Sequence, residues 1–310
     1  MLCLNNYVEK VLRNYARRYF GEDIIATSIW RMEYFNFYRS LRRKLSLAII
    51  LRSIDPNRFI SLFDLNMDIQ KLPDIEARAE IFDVNEFMAR FTEGFVPEVY
   101  IVEKGYPIDG AEFHDELRSR GYRCSKSAVI ETLNRAFIAY GMTLNELISG
   151  NIGLALENIA YSIGYVTIAF YQHIEGRVPD SLINIINIVP EDEREVIITM
   201  LDRTIGLINK DDIPDYLQSV TVGSAYPCDL LRSLLQDDYG REVMMIPYQL
   251  LRIFWERIHN KRLMPMELFF KELIRALEDM PYAQIELRGT EPIPILRIKG
   301  PITRSIELRY

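Results

Sequence analysis

Apolar positions recur at helical spacing along most of this chain, and the interruptions fall where helices should stop. Residues 4–20 place Val8, Leu12, Tyr15 and Tyr19 on one stripe, with Arg13, Arg17 and Arg18 off it, and Gly21 closes the run. The spacing predicts a long helical stretch over 23–53, broken once, stopped by Asp55-Pro56, which opens a further short helix. ARAEIFDV (77–84) alternates like a strand, NEFMARF (85–91) returns to helical spacing, and EVYIVEKG (98–105) carries the β-branched and aromatic composition of a strand. Residues 152–174 are apolar on nearly every side, the mark of a buried central helix. Pro179-Asp180-Ser181 opens a short helix. Pro190, read as a first helical position and followed by Glu191, Asp192 and Glu193, opens a longer one ending near Ile208. SVTVGSAYP (219–227) reads as a loop. Helices follow at 228–237, about 246–260, and 265–279, with Pro247 and Pro265 near two starts. Three short alternating runs, 283–289, 293–300 and 304–310, separated by Gly289 and Gly300-Pro301, predict an antiparallel meander.

The fold class expected from this pattern is mainly α: many helices, a helix-turn-helix-like segment and a small C-terminal antiparallel β meander. Helices followed by a β ribbon also suit a winged-helix module at 228–310. Three regions are expected: 1–105, basic and helical with short strands; 106–218, the helix-turn-helix-like segment and a central bundle; and 219–310, helices plus meander.

The segment 106–150 has the sharpest punctuation. Asp109 with Glu112 reads as a capping box, Gly121 as a helix end, and Ser125 as the next cap. Val129, Leu133, Ala136, Phe137 and Tyr140 form the stripe of the second helix. Gly141 reads as its end, and Thr143 with Glu146 as the opening of a third. In pattern the segment resembles the helix-turn-helix superfamily over about a seventh of the chain. That resemblance implies a second helix in the major groove, where Lys126 and Arg135 meet phosphate and Asn134 pairs with adenine. Five basic and five acidic residues over 109–135 make it less basic than a dedicated DNA reader.

Charge changes the picture at the N-terminus. The chain carries a net −7, yet residues 1–52 hold ten basic and four acidic side chains. Such asymmetry predicts an acidic partner for this part, or packing against acidic residues elsewhere in the chain. Within WRMEYFNFYRSLRRK (30–44), Arg39, Arg42, Arg43 and Lys44 cluster beside Trp30, Tyr34, Phe35, Phe37 and Tyr38, so single-strand stacking is one expectation and an aromatic core with a solvated basic face the other.

Other chemistry is sparse. There is no GxxxxGK[ST] loop, no GxGxxG after a strand and no GxSxG elbow. Asp64, Asn66 and Asp68 begin like a calcium loop, but Ile69 stands where glycine is needed and Ile75 where the last glutamate is. Three cysteines (Cys3, Cys124, Cys228) and three histidines at wide spacing predict no zinc site and no disulfide framework, and suit a reducing cytoplasm. Only 15 uncharged residues lie between Glu157 and His173, short of a membrane span, so a non-membrane protein without cofactor is expected. In RIFWERIH, Arg252 and His259 share a helix face with six residues between. This resembles the Arg and His pair of HEPN-type ribonucleases, which implies metal-free RNA cleavage, Arg holding phosphate and His moving a proton. Ile253 departs from the polar residue common after that Arg. The leading expectation is a non-catalytic nucleic-acid-associated protein, with nucleic acid as partner. The alternatives are a helical scaffold binding only protein and a HEPN-like ribonuclease.

Overall fold

The computed structural model describes residues 6–31, 33–72, 76–221, 226–289 and 293–310, without the side chains of Asn6, Glu33 and Arg43. The chain is mainly α. It divides into two compact units, residues 1–36, 40–128 and 176–178 against 37–39, 129–175 and 179–310. The division runs through one long helix at Ala128/Val129, whereas the sequence reading placed its boundaries near 105 and 218.

The first unit is built on a four-stranded sheet. In chain order its elements are α1 (Asn6–Phe20), β1 (Ile24–Trp30), β2 (Leu45–Leu51), α2 (Pro56–Ile69), β3 (Ala77–Asp83), α3 (Val84–Thr92), α4 (Val96–Lys104), β4 (Tyr106–Asp109) and α5 (Ala111–Arg120). The strand order is β3-β2-β1-β4, with β1 antiparallel to β2 and β4, and β2 parallel to β3. Leu12, Ala16 and Phe20 of α1 and Leu65 and Ile69 of α2 share a core with Ile29, Leu47, Ile49 and Leu51. Side chains alternate across a strand. The neighbour of Ile29, Ser28, accordingly faces the other way and meets α5 through His114. Both faces of β1 and β2 are therefore covered.

That coverage corrects two expectations. The helical stretch read over 23–53 is in fact β1, two 3-10 turns and β2. A strand buried on both sides is apolar at every position and loses its two-residue rhythm, so LSLAIIL carries no strand signature. Conversely, EVYIVEK lies within the α-helix α4, and Gly105 follows its end. Its Val, Tyr and Ile residues are buried all round, and burial here overrides β propensity.

The second unit takes the rest of α6 (Lys126–Ile148), then α7 (Ile152–Glu175), α8 (Leu182–Ile188), α9 (Glu191–Ile208), α10 (Ile213–Thr221), α11 (Pro227–Gln236), α12 (Asp238–His259), α13 (Met266–Leu277), and the meander β5 (Gln284–Arg288), β6 (Ile295–Lys299) and β7 (Arg304–Glu307). Of the loop read at 219–227, residues 222–225 lie outside the described residues. α7 is long and apolar enough to cross a membrane by length and composition, but most of that apolar stretch is buried within the fold. It packs on α12, with Phe170 and Phe254 rings 4.8 Å apart. Tyr248 stacks on Phe269 at 4.2 Å, and the buried hydroxyls of Tyr140 and Tyr248 donate to the carbonyls of Met244 and Met264. Burial pushes both phenols up, so they stay neutral donors.

Three boundary readings change. Pro190 caps α9 from outside rather than opening it. α12 begins at Asp238, with Pro247 inside it. α6 runs through Gly141 without a break, so neither the helix end at Gly141 nor a new start at Thr143 exists. Gly141 is required by contact: a Cβ there would lie 2.9 Å from the Leu287 amide nitrogen of β5.

Two sheet edges are closed by the same device. On β3, the Ala79 N–H donates to Asn66 Oδ1 at 2.7 Å, and Asn66 Nδ2 donates to the Ala79 carbonyl at 3.1 Å. On β5, Asn145 makes the same pair of bonds to Ile285, both 2.6 Å. Each carboxamide stands where a further strand's peptide would, so neither edge is open at that point to strand addition.

Candidate functional site

The residues singled out for phosphate contact are divided between the two units. Arg39 donates its backbone N–H to Asn209 and its guanidinium to Asp211. The Arg42 guanidinium donates to the Asn36 carbonyl, and the Arg42 carbonyl accepts from Arg31 at 2.9 Å. The Arg43 side chain lies outside the described residues, and Lys44 leads directly into β2. Of the aromatics beside them, Trp30, Tyr34, Phe35 and Tyr38 are buried as core and Phe37 is half-buried.

The helix-turn-helix-like pair is α5, a short loop and α6. Gly121 closes α5 in the left-handed region, and Ser125 Oγ accepts from the Ala128 N–H as expected of a cap. Asp109 does not cap α5. It ends β4 and holds Arg17 through two bonds, 2.8 and 3.1 Å, and Gly110 precedes the helix instead. Lys126 is the first residue of α6. Asn134 Oδ1 accepts the Gly289 N–H at 3.0 Å, fixing the end of β5. Arg135 pairs with Glu131 at 2.7 Å. Burial works against its charge, but Tyr165 and Glu131 outweigh it and its pKa is raised. The two side chains read as base-reading and phosphate-reading thus both have partners within the second unit.

Four of the ten N-terminal basic side chains pair with acids of the same chain: Arg13 with Glu9, Arg17 with Asp109, Arg18 with Asp68 and Arg39 with Asp211. Of the two expectations from charge asymmetry, packing against acids elsewhere in the chain is the one these pairs describe.

Arg252 and His259 do share a face of α12. Arg252 lies 3.7 Å from Glu256, whose carboxylate also accepts the Leu263 N–H, and the His259 ring rests against Trp255 at 4.7 Å. The Glu256 carboxylate beside the guanidinium competes for any phosphate brought there. Among the described residues, no three or more His, Cys, Asp or Glu side chains converge as a metal site would.

Sequence reading missed a Ser–His pair. Ser28 Oγ and His114 Nε2 lie 2.8 Å apart, both fully buried. Burial, with help from Arg118, lowers His114 from 6.5 to about 4. No solvent reaches the pair, so it is a structural link between β1 and α5. The unfolded chain binds a proton near pH 6.5 that the folded chain refuses until about 4. Stability should therefore be level above pH 6.5 and fall as pH drops through that window, by about 2 kcal/mol at pH ~5. Urea midpoints at about pH 7 and pH 5 should differ less in His114→Gln than in the parent; equal differences would assign the acid sensitivity to other groups.

The surface feature sequence reading also missed is on α2. Phe59, Ile60, Phe63 and Met67 are 58, 63, 65 and 44% exposed. At 100° per residue they fall within about 100° of arc, roughly opposite the face that Leu65 and Ile69 bury. Phe59, Phe63 and Met67 form one ridge at four-residue spacing. Asp55 caps the helix start, accepting from Asn57 at 2.8 Å, and Lys71 stands just past its end, bound to Asp68 at 2.9 Å. Four adjacent exposed apolar side chains make a patch of roughly 300–600 Å², the size of the largest apolar patch on a typical monomer, which is often functional.

No protein-family model matches the chain, and no curated protein does. A solved structure with some likeness is the crystal structure of a nucleotidyltransferase-like protein from Exiguobacterium sibiricum. It is 11% identical, with 95% of this chain and all of that one covered, at a TM-score of 0.29. A TM-score that low carries no weight for fold or activity.

Proposed function

We propose that this chain is a non-catalytic binding protein that docks another protein on the exposed face of α2. The observation that carries the reading is the Phe59, Ile60, Phe63 and Met67 patch, apolar and open on a helix that buries Leu65 and Ile69 on its other face. The bonds that Asn134 and Arg135 make within the second unit support protein over nucleic acid as the partner. That neither Cys124 nor Cys228 is in a disulfide suits a reducing compartment such as the cytoplasm.

A mobility-shift titration tests this against the two nucleic-acid readings. Labelled single-stranded RNA and duplex DNA are incubated with the full chain in EDTA at two salt concentrations. The expected result is no retarded band at physiological salt and intact RNA. A complex whose affinity falls steeply with salt would overturn the reading in favour of phosphate binding by the basic residues. RNA cleavage lost in His259→Ala would overturn it in favour of the ribonuclease.

A further inference from the structure

We propose that the occupant of the α2 face is a second copy of this chain, docked with its α2 antiparallel about a two-fold axis through Phe63. The inference rests on reading α2 as a docking face and adds the identity of the partner.

Three observations carry it. First, the ridge is symmetric about its middle: Phe59 and Met67 stand four residues either side of Phe63. A two-fold there sets Phe63 on Phe63 and Phe59 against Met67, a self-complementary surface of the kind that closes a dimer. Identical ridges at four-residue spacing interdigitate in the commonest helix-packing class. Second, charge follows the same symmetry. Asp55 at the start of α2 and Lys71 past its end lie eight residues either side of Phe63, so the antiparallel arrangement brings each Asp55 toward the other copy's Lys71. It also sets the two helix dipoles head to tail. A parallel arrangement would oppose like charges. Third, Asn66 closes the neighbouring β3 edge by occupying the Ala79 N–H and carbonyl. A partner strand finds that edge blocked at its middle, whereas a partner helix meets an open ridge. Two such faces together bury on the order of 1,000 Å², the lower end for a specific interface, so the dimer should dissociate on dilution.

Sedimentation velocity on the full chain over a wide concentration range tests the proposal, with Phe59→Asp/Phe63→Asp and the control Ile302→Asp. Ile302 is an equally exposed apolar side chain, 65% accessible, outside α2. The expected result is a concentration-dependent dimer for the parent and for Ile302→Asp, and a monomer of unchanged circular dichroism for the double variant. Under mild oxidant Phe63→Cys should link to its own copy and Ile302→Cys should not. A parent that stays monomeric throughout overturns the second copy as occupant while leaving α2 available to a different protein. A dimer that persists in the double variant also overturns it. A salt-steep complex with nucleic acid would instead defeat the docking reading itself, so the two failures are distinguishable.

Discussion

Gly141→Ala should lower the melting temperature, although alanine is the better helix former. In the interior of α6 the substitution gains about 1 kcal/mol of helix propensity. Against that, the new Cβ lies 2.9 Å from the Leu287 amide nitrogen and 3.0 Å from its Cβ. Leu287 is buried in β5, and the strand is tied on both sides of it: Asn145 holds Ile285, and Asn134 holds the Gly289 N–H. The strand cannot retreat without breaking those bonds. Overpacking of this kind costs about 1–3 kcal/mol, and bulkier residues cost more. The net loss for alanine should be a few degrees, and Gly141→Val should lose considerably more. A melting temperature at or above the parent's for Gly141→Ala would mean that α6 and β5 stand farther apart than described.

The second large effect is expected at Arg90. Its Nε lies 2.5 Å from the Glu98 carboxylate, which is only 2% exposed, and its guanidinium sits over the Phe95 ring at 4.0 Å. Arg90→Met keeps most of the side-chain volume and strips the buried carboxylate of that positive charge. Loss of one member of a buried pair costs about 3–5 kcal/mol, because the desolvation penalty of the survivor is no longer offset. Adding Glu98→Gln to Arg90→Met should then recover part of the loss, a coupling visible in a double-mutant cycle by urea unfolding. A change under about 1 kcal/mol for Arg90→Met alone would place the pair with ordinary surface bridges.

What the sequence made legible follows from how each element is buried. β3 and the three C-terminal strands kept an alternating pattern because one of their faces stays partly open, as the exposed and buried positions of Gln284–Arg288 illustrate. β1 and β2 lost that pattern by being covered on both faces, and α4 borrowed a strand's composition for the same reason. α7 was legible because a helix apolar all round belongs in a core. Gly141 was read as a stop because local sequence cannot see Leu287, 146 positions away. The closures by Asn66 and Asn145 were invisible for the same reason: each depends on a strand brought alongside by the fold. The candidate site was the least legible part. α2 carries Leu65 and Ile69 beside Phe63 and Met67 at similar spacing, and composition alone does not tell the pair that is buried from the pair left in solvent. The basic cluster misled in the opposite direction, since the acids that pair with Arg17, Arg18 and Arg39 lie 50 to 172 positions away.

The central claim is that the exposed face of α2 meets a second copy of itself, and amide hydrogen exchange measured at low and at high protein concentration tests it most directly. An interface slows most the amides that exchange by local opening beneath it. Peptides spanning Pro56–Ile69 should slow selectively at high concentration in the parent and not in Phe59→Asp/Phe63→Asp. Exchange over Pro56–Ile69 that is indifferent to concentration, or protection that appears at another surface instead, would contradict it.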